Sequence, residues 1–191
     1  MNPLTDTPPQ DDARFDEWLA VRCQLGERAA FETLIRRWHG PLRGYLRRAC
    51  GEDELADELV QDTWLRVLRG IGGLRESARL RAWLFGIARR ALIDRLRGRY
   101  SEAAHDDGVD AEDLPSNEIG PDLALDLQRL QRGLDRLPIL EREVLSLFYL
   151  QQLPLRDIAE ILEIPAGTVK SRLFRARRSL RSQLDPKGDL P

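Results

Sequence analysis

The chain has 191 residues, of which 42% are hydrophobic and 32% charged, the balance of a globular protein and not of a disordered or fibrous one. Its longest charge-free stretch, Val144–Leu155, falls short of the roughly 20 apolar residues a membrane-spanning helix needs, and the first residues lack the basic and apolar runs of a signal peptide. The formal net charge of −2 conceals blocks of opposite sign, and Cys23 and Cys50 are too few for a disulfide scaffold, so a cytoplasmic setting without membrane insertion is expected. Leucine occurs 33 times against 20 for Ile, Val and Thr together, and no segment alternates apolar and polar residues as a half-buried strand does. An all-α fold follows: two small helical domains joined by a flexible acidic linker.

Residues 1–24 read as an N-terminal tail, rich in Pro and Asp at its start and carrying a charge of −4 from Met1 to Val21. The first helix is expected over Glu27–Cys50, with a possible break at Gly40-Pro41. The second, Glu52–Arg69, opens with three acids that suit the helix dipole and ends at Gly70, Gly72 and Gly73. The third, Ala78–Gly98, carries Leu80, Leu84, Ile87 and Ala91 on one stripe, with Arg89, Arg90 and Arg97 off it. The stretch Arg75–Arg99 sums to +6.

Tyr100–Asp122 has no apolar periodicity and is dominated by Gly, Pro and acids, with −9 over Ser101–Asp126. Four helices follow: Leu123–Arg136, Ile139–Leu150, Leu155–Leu162, and a last one from Pro165 to about Leu184. Ile164–Leu184 again sums to +6. A single charge run is ordinarily a solvated helix face. Two basic blocks on helical patterns, divided by an acidic one, point to two polyanion-binding surfaces.

The strongest motif is the last helix pair. Leu155, Ile158, Ala159 and Leu162 share one face, a turn through Glu163-Ile164-Pro165 follows, and Val169, Leu173, Ala176 and Leu180 line a second stripe. The opposite side presents Ser171, Phe174, Arg175 and Arg178, flanked by Lys170 and Arg172. Small Ala159 permits close approach of the helices, as a helix-turn-helix requires, and the second helix would enter the major groove. Lys170, Ser171, Phe174 and Arg175 are expected at base edges, and Arg177, Arg178 and Arg181 at phosphates.

The run Ile164-Pro165-Ala166-Gly167-Thr168-Val169-Lys170-Ser171-Arg172-Leu173-Phe174-Arg175-Ala176-Arg177 resembles the promoter-reading helix of the extracytoplasmic-function (ECF) group of bacterial sigma factors, in the sigma-70 superfamily. Three further segments resemble the family in order. Phe31-Glu32-Thr33-Leu34-Ile35 with Tyr45-Leu46 resembles its opening helix. Asp57-Glu58-Leu59-Val60-Gln61-Asp62-Thr63-Trp64 resembles its polymerase-binding helix. Leu80-Arg81-Ala82-Trp83-Leu84-Phe85-Gly86-Ile87-Ala88-Arg89-Arg90 with Asp94-Arg95-Leu96-Arg97 resembles its promoter-melting helix.

The resemblance implies a region 2-like domain over 25–100, an acidic linker over 101–121 mimicking nucleic acid in the polymerase channel, a region 4-like domain over 122–185, and a tail over 186–191. It implies that Asp57, Glu58, Gln61, Asp62 and Trp64 meet the clamp of the largest polymerase subunit, Trp64 as an interface anchor if it is not core. Arg79, Trp83, Arg89, Arg90 and Arg97 would bind and melt the proximal promoter element, Trp83 if it is not core, with Leu74–Arg79 as a pocket wall. Thr168, Lys170, Ser171, Arg172, Phe174, Arg175 and Arg178 would read the distal element. The implied partners are core RNA polymerase (clamp, and flap of the second subunit), promoter DNA and an anti-sigma factor. A free-standing helix-turn-helix regulator is the alternative, and it leaves the arginine-rich N-terminal helix unexplained. Cys23, His39 and Cys50 match no zinc spacing, no cofactor site or nucleophile–base set appears, and an enzyme is not expected.

Overall fold

The structure, a computed structural model, describes residues 11–103, 130 and 132–184. The described residues are helical with no strand, in the order α1 (Asp12–Gln24), α2 (Arg28–Cys50), α3 (Asp53–Gly70), two 3-10 turns (Ile71–Gly73 and Ser77–Arg79), α4 (Leu80–Ala103), α5 (Ile139–Leu145) running into a π-helical turn (Ser146–Leu150), α6 (Leu155–Leu162) and α7 (Ala166–Leu184).

α1 corrects the reading of residues 12–24 as part of a tail. Asp11 caps it by accepting from the Ala13 amide (3.1 Å), and Leu19, Ala20 and Cys23 are buried. Asp16 is also buried, and three donors satisfy its carboxylate: Arg37 Nε (2.7 Å), Trp38 Nε1 (3.2 Å) and Arg81 Nη2 (3.2 Å). The helix is thereby fastened to both α2 and α4.

α2 passes through Gly40-Pro41 without a break. Proline removes one ladder bond, but Leu34, Trp38, Leu42, Tyr45 and Leu46 stay buried on one side across it, so packing holds the two halves in line. Gly51, at φ +83°, ends the helix in the left-handed conformation. In α4 the expected stripe is buried and widened by Phe85, Ala88 and Leu92, and the helix continues to Ala103, three residues into the expected linker. The rest of that linker, and most of the expected Leu123–Arg136 helix, lie outside the described residues; 132–135 are helical.

The two halves do not stand apart. One continuous apolar core runs from α1–α4 into Val144, Leu147, Ile158 and Val169. A polar seam crosses the junction. The Tyr45 hydroxyl donates to Glu143 Oε1 (2.7 Å), Arg48 Nε to Ser146 Oγ (3.2 Å), and Arg142 Nη1 to the Arg48 carbonyl (2.9 Å). Desolvation of the buried Glu143 carboxyl raises its pKa, and burial raises that of Tyr45.

Candidate nucleic-acid interface

The 3-10 turn Ser77–Arg79 and the first turns of α4 form one wall of an open cleft of about 410 Å³. Leu74, Arg79, Trp83 and Arg90 line it together, as expected of a pocket walled by Leu74–Arg79. Trp83 is half-buried: it packs against the core on one side, with Gly70 close against its ring, and lines the cleft on the other. Arg90 is exposed and donates from Nε to the Gly86 carbonyl (3.2 Å).

The other wall comes from the C-terminal half. Asp157, Glu160, Ile161 and Glu163 face Arg79 and Trp83 across the opening. Arg79 Nη2 donates to Asp157 Oδ1 (3.0 Å) and also to Glu160, whose carboxyl Arg79 holds below its ordinary pKa. Arg89 does not join the cleft. Its side chain is largely buried, and Nε stands 3.5 Å from Glu143 Oε1, a pairing of charges without hydrogen-bond geometry. Arg97 is exposed and lies outside the cleft lining.

On α7, Val169, Leu173 and Ala176 are buried, so Lys170, Ser171, Phe174, Arg175 and Arg178 are exposed as expected. Phe174 is 61% exposed. Arg175 pairs loosely with Glu141 (3.7 Å). Thr168 is half-buried at the start of the helix. Arg172 departs from the expected outer face: it is half-buried with Nε enclosed, and its charge acts on Glu143. Arg177 and Arg181 lie on another side, lining an apolar groove with Leu134, Leu145 and Leu180.

On α3, Trp64 is core. It is 9% exposed and packs edge-on against Phe31, with centroids 6.2 Å apart. Gln61 is exposed, while Asp57, Glu58 and Asp62 are tied by arginines: Asp57 by Arg43 through two bonds (2.6 and 3.1 Å), Glu58 by Arg95 (3.1 Å) and Asp62 by Arg66 (2.9 Å). Those bonds from Arg43 lower the pKa of Asp57. The residues missed in the sequence are Leu65 and Leu68, 52% and 57% exposed. With Glu58 and Gln61 they follow i, i+3, i+7, i+10 spacing, one outward stripe.

Residues 34–102 match the family model for sigma-70 region 2, and residues 127–180 match that for sigma-70 region 4. The chain is 30% identical over 185 residues to the ECF RNA polymerase sigma-E factor of Haemophilus influenzae, covering 90% of this chain and 96% of that protein. The chain belongs to the ECF sigma factors of bacterial RNA polymerase. This sigma factor is also 34% identical over 169 residues to the ECF RNA polymerase sigma factor SigM of Mycobacterium tuberculosis, covering 87% of this chain and 83% of that one. A solved structure of the sigma factor RpoE from Bartonella quintana, in complex with the anti-sigma factor NepR, superimposes with a TM-score of 0.69 at 30% identity, over 84% of this chain and 98% of that one. The sigma factor is a promoter-specificity subunit that directs RNA polymerase to initiate transcription, and regulatory in kind. Among the described residues no cluster of His, Cys, Asp or Glu could hold a metal ion, and no helix is long and apolar enough to cross a membrane.

Proposed function

We propose that this sigma factor divides its work between residues 25–100, which dock on polymerase and open the proximal element, and 122–185, which read the distal element, with 101–121 as the connection. The convergence of Arg79, Trp83 and Arg90 on one cleft carries the reading: a base lifted from the stack needs an aromatic or apolar platform, and its strand needs guanidinium partners. Arg97 extends the basic track along α4. Docking uses Gln61, Leu65 and Leu68, facing the clamp, with Asp57, Glu58 and Asp62 beside them in ion pairs with Arg43, Arg95 and Arg66, because two exposed leucines rimmed by charged pairs fit an apolar surface with a polar rim. Distal reading uses Lys170, Ser171, Phe174 and Arg175, with Arg178 holding the phosphates. The protein acts in the cytoplasm without catalysis of its own, and an anti-sigma partner holds it until needed, as the relative from Bartonella quintana is seen bound to one.

A regulator working without polymerase would leave the outer leucines of α3 and the Trp83 cleft without use. Reconstitution with core polymerase on a randomised promoter library tests the reading. Selected transcripts sharing a proximal and a distal element are the expected result. Operator binding without core, and no promoter selection with it, would overturn it.

A further inference from the structure

The wall of the Trp83 cleft has little structure of its own to hold it. Leu74 to Glu76 lie between the two 3-10 turns, and Gly72 and Gly73 before them are exposed and carry no side chain that could pack. The tie comes from α1. Gln24, its last residue, is half-buried and donates from Nε2 to the carbonyls of Leu74 (2.6 Å) and Ile71 (3.2 Å), so one amide spans the turn that leads into the wall. The turn's own bond, from the Leu74 amide to the Ile71 carbonyl, is 3.1 Å long. Nearer its start, α1 also reaches the helix that carries the ring: Asp16 accepts from Arg81 Nη2 (3.2 Å), two residues before Trp83. α1 therefore packs on both 3-10 turns and on α4, and its two polar ties set the spacing between Leu74 and Trp83, which both line the cleft.

We infer that Gln24 is a positioning residue for recognition of the proximal element. It does not line the cleft itself, but it holds the Leu74–Arg79 wall where the cleft can tell one lifted base from another. The inference rests on the assignment of that cleft to the proximal element. A pocket that selects a base by fit needs a wall locked by packing and hydrogen bonds, because a wall that yields closes on any base with similar ease. The reading unit thereby extends into α1, outside the span from residue 25 to residue 100.

The test uses the full-length protein with core polymerase on a promoter library, with preference read separately at the proximal and distal elements. Gln24→Met keeps the length of the side chain and removes the donor. It should relax preference at the proximal element about tenfold and leave the distal preference unchanged. Gln24→Lys restores a donor of similar reach and should recover most of that preference. Amide hydrogen exchange over residues 71–79 should quicken in the Met variant and slow again in the Lys variant. Trp83→Leu keeps an apolar filler on the core side but removes the ring, and so tests the cleft itself. If Trp83→Leu flattens the proximal preference and Gln24→Met does not, the brace is overturned and the cleft assignment stands. If Trp83→Leu leaves that preference intact, the cleft assignment fails and the inference with it. A Met variant that unfolds, that weakens every promoter alike, or whose defect Gln24→Lys fails to recover would make Gln24 a structural anchor only, which also overturns the inference.

Discussion

Trp64 and Leu65 are neighbours in the chain with opposite roles, and the difference can be measured. Trp64 fills the core against Phe31, so Trp64→Ala leaves a cavity and should cost about 3–5 kcal/mol in urea unfolding. Leu65→Ala with Leu68→Ala removes surface carbons and should change stability by no more than about 0.5 kcal/mol for each residue while weakening core-polymerase binding. If the leucine pair unfolds the protein, or leaves polymerase binding intact, the outer stripe of α3 is not a docking surface. Cys23 makes a second residue-scale case. Burial, reinforced by the nearby Glu27 charge, pushes its thiol up to about 11, so at neutral pH it is almost wholly protonated. Thiol reagents should leave Cys23 unmodified in the native protein and label it in denaturant, read by mass spectrometry. Native labelling at Cys23 would show that α1 opens.

The helix-turn-helix was legible because its apolar spacing, short turn and basic outer face all agree, and α7 buries Val169, Leu173 and Ala176 of the four residues that spacing named, with Leu180 half-buried. Arg172 was not legible as half-buried: its position on the wheel borders both faces, and its charge acts on the buried Glu143. α1 escaped for a similar reason. Five of its thirteen residues are charged, and Asp16 points inward to donors 21, 22 and 65 residues away, so periodicity reads as noise. Leu65 and Leu68 could have been found by wheel arithmetic, since Leu55, Leu59, Val60, Trp64 and Val67 already complete the inward face of α3. Two element-scale outcomes follow from α6 and α7. Glu163 turns the corner at φ +53°, a left-handed conformation that costs a side-chain-bearing residue about 1–2 kcal/mol, so Glu163→Gly should stabilise the fold by about 0.5–1 kcal/mol after glycine's extra unfolded-state entropy is deducted. Arg175→Ala should relax sequence preference at the distal element by about 1–3 kcal/mol, whereas Arg178→Ala should weaken all sequences alike and lower the salt slope by about one unit. Binding titrations on a promoter library at several salt concentrations distinguish the two, and the reverse pattern would mean that α7 enters the groove in another orientation.

At the scale of the whole molecule, two carboxylates at the junction respond to pH in opposite directions. Glu143, on α5, faces Tyr45 from α2, Arg89 from α4 and Arg172 from α7, yet loss of water dominates and raises its pKa in the closed form. A group raised on closure binds its proton more tightly in that form. Its contribution to closure is therefore complete below the ordinary glutamate value of about 4.3 and is lost as pH climbs through the raised one. Glu160 is lowered by Arg79, so its contribution is present above the ordinary value and is lost as pH falls through the lowered one. The junction should be tightest near the ordinary value and loosen on either side. Scattering across mildly acid to neutral pH should show the radius of gyration rising with pH. Glu143→Gln carries the neutral form permanently, and should hold the chain closed across that same range. Glu160→Gln should instead loosen the chain at neutral pH and remove the expansion that the native protein shows on further acidification. A native profile that is flat, or one that Glu143→Gln leaves unaltered, would mean that Glu143 stays ionised beside Arg89 and that the apolar core alone holds the halves together.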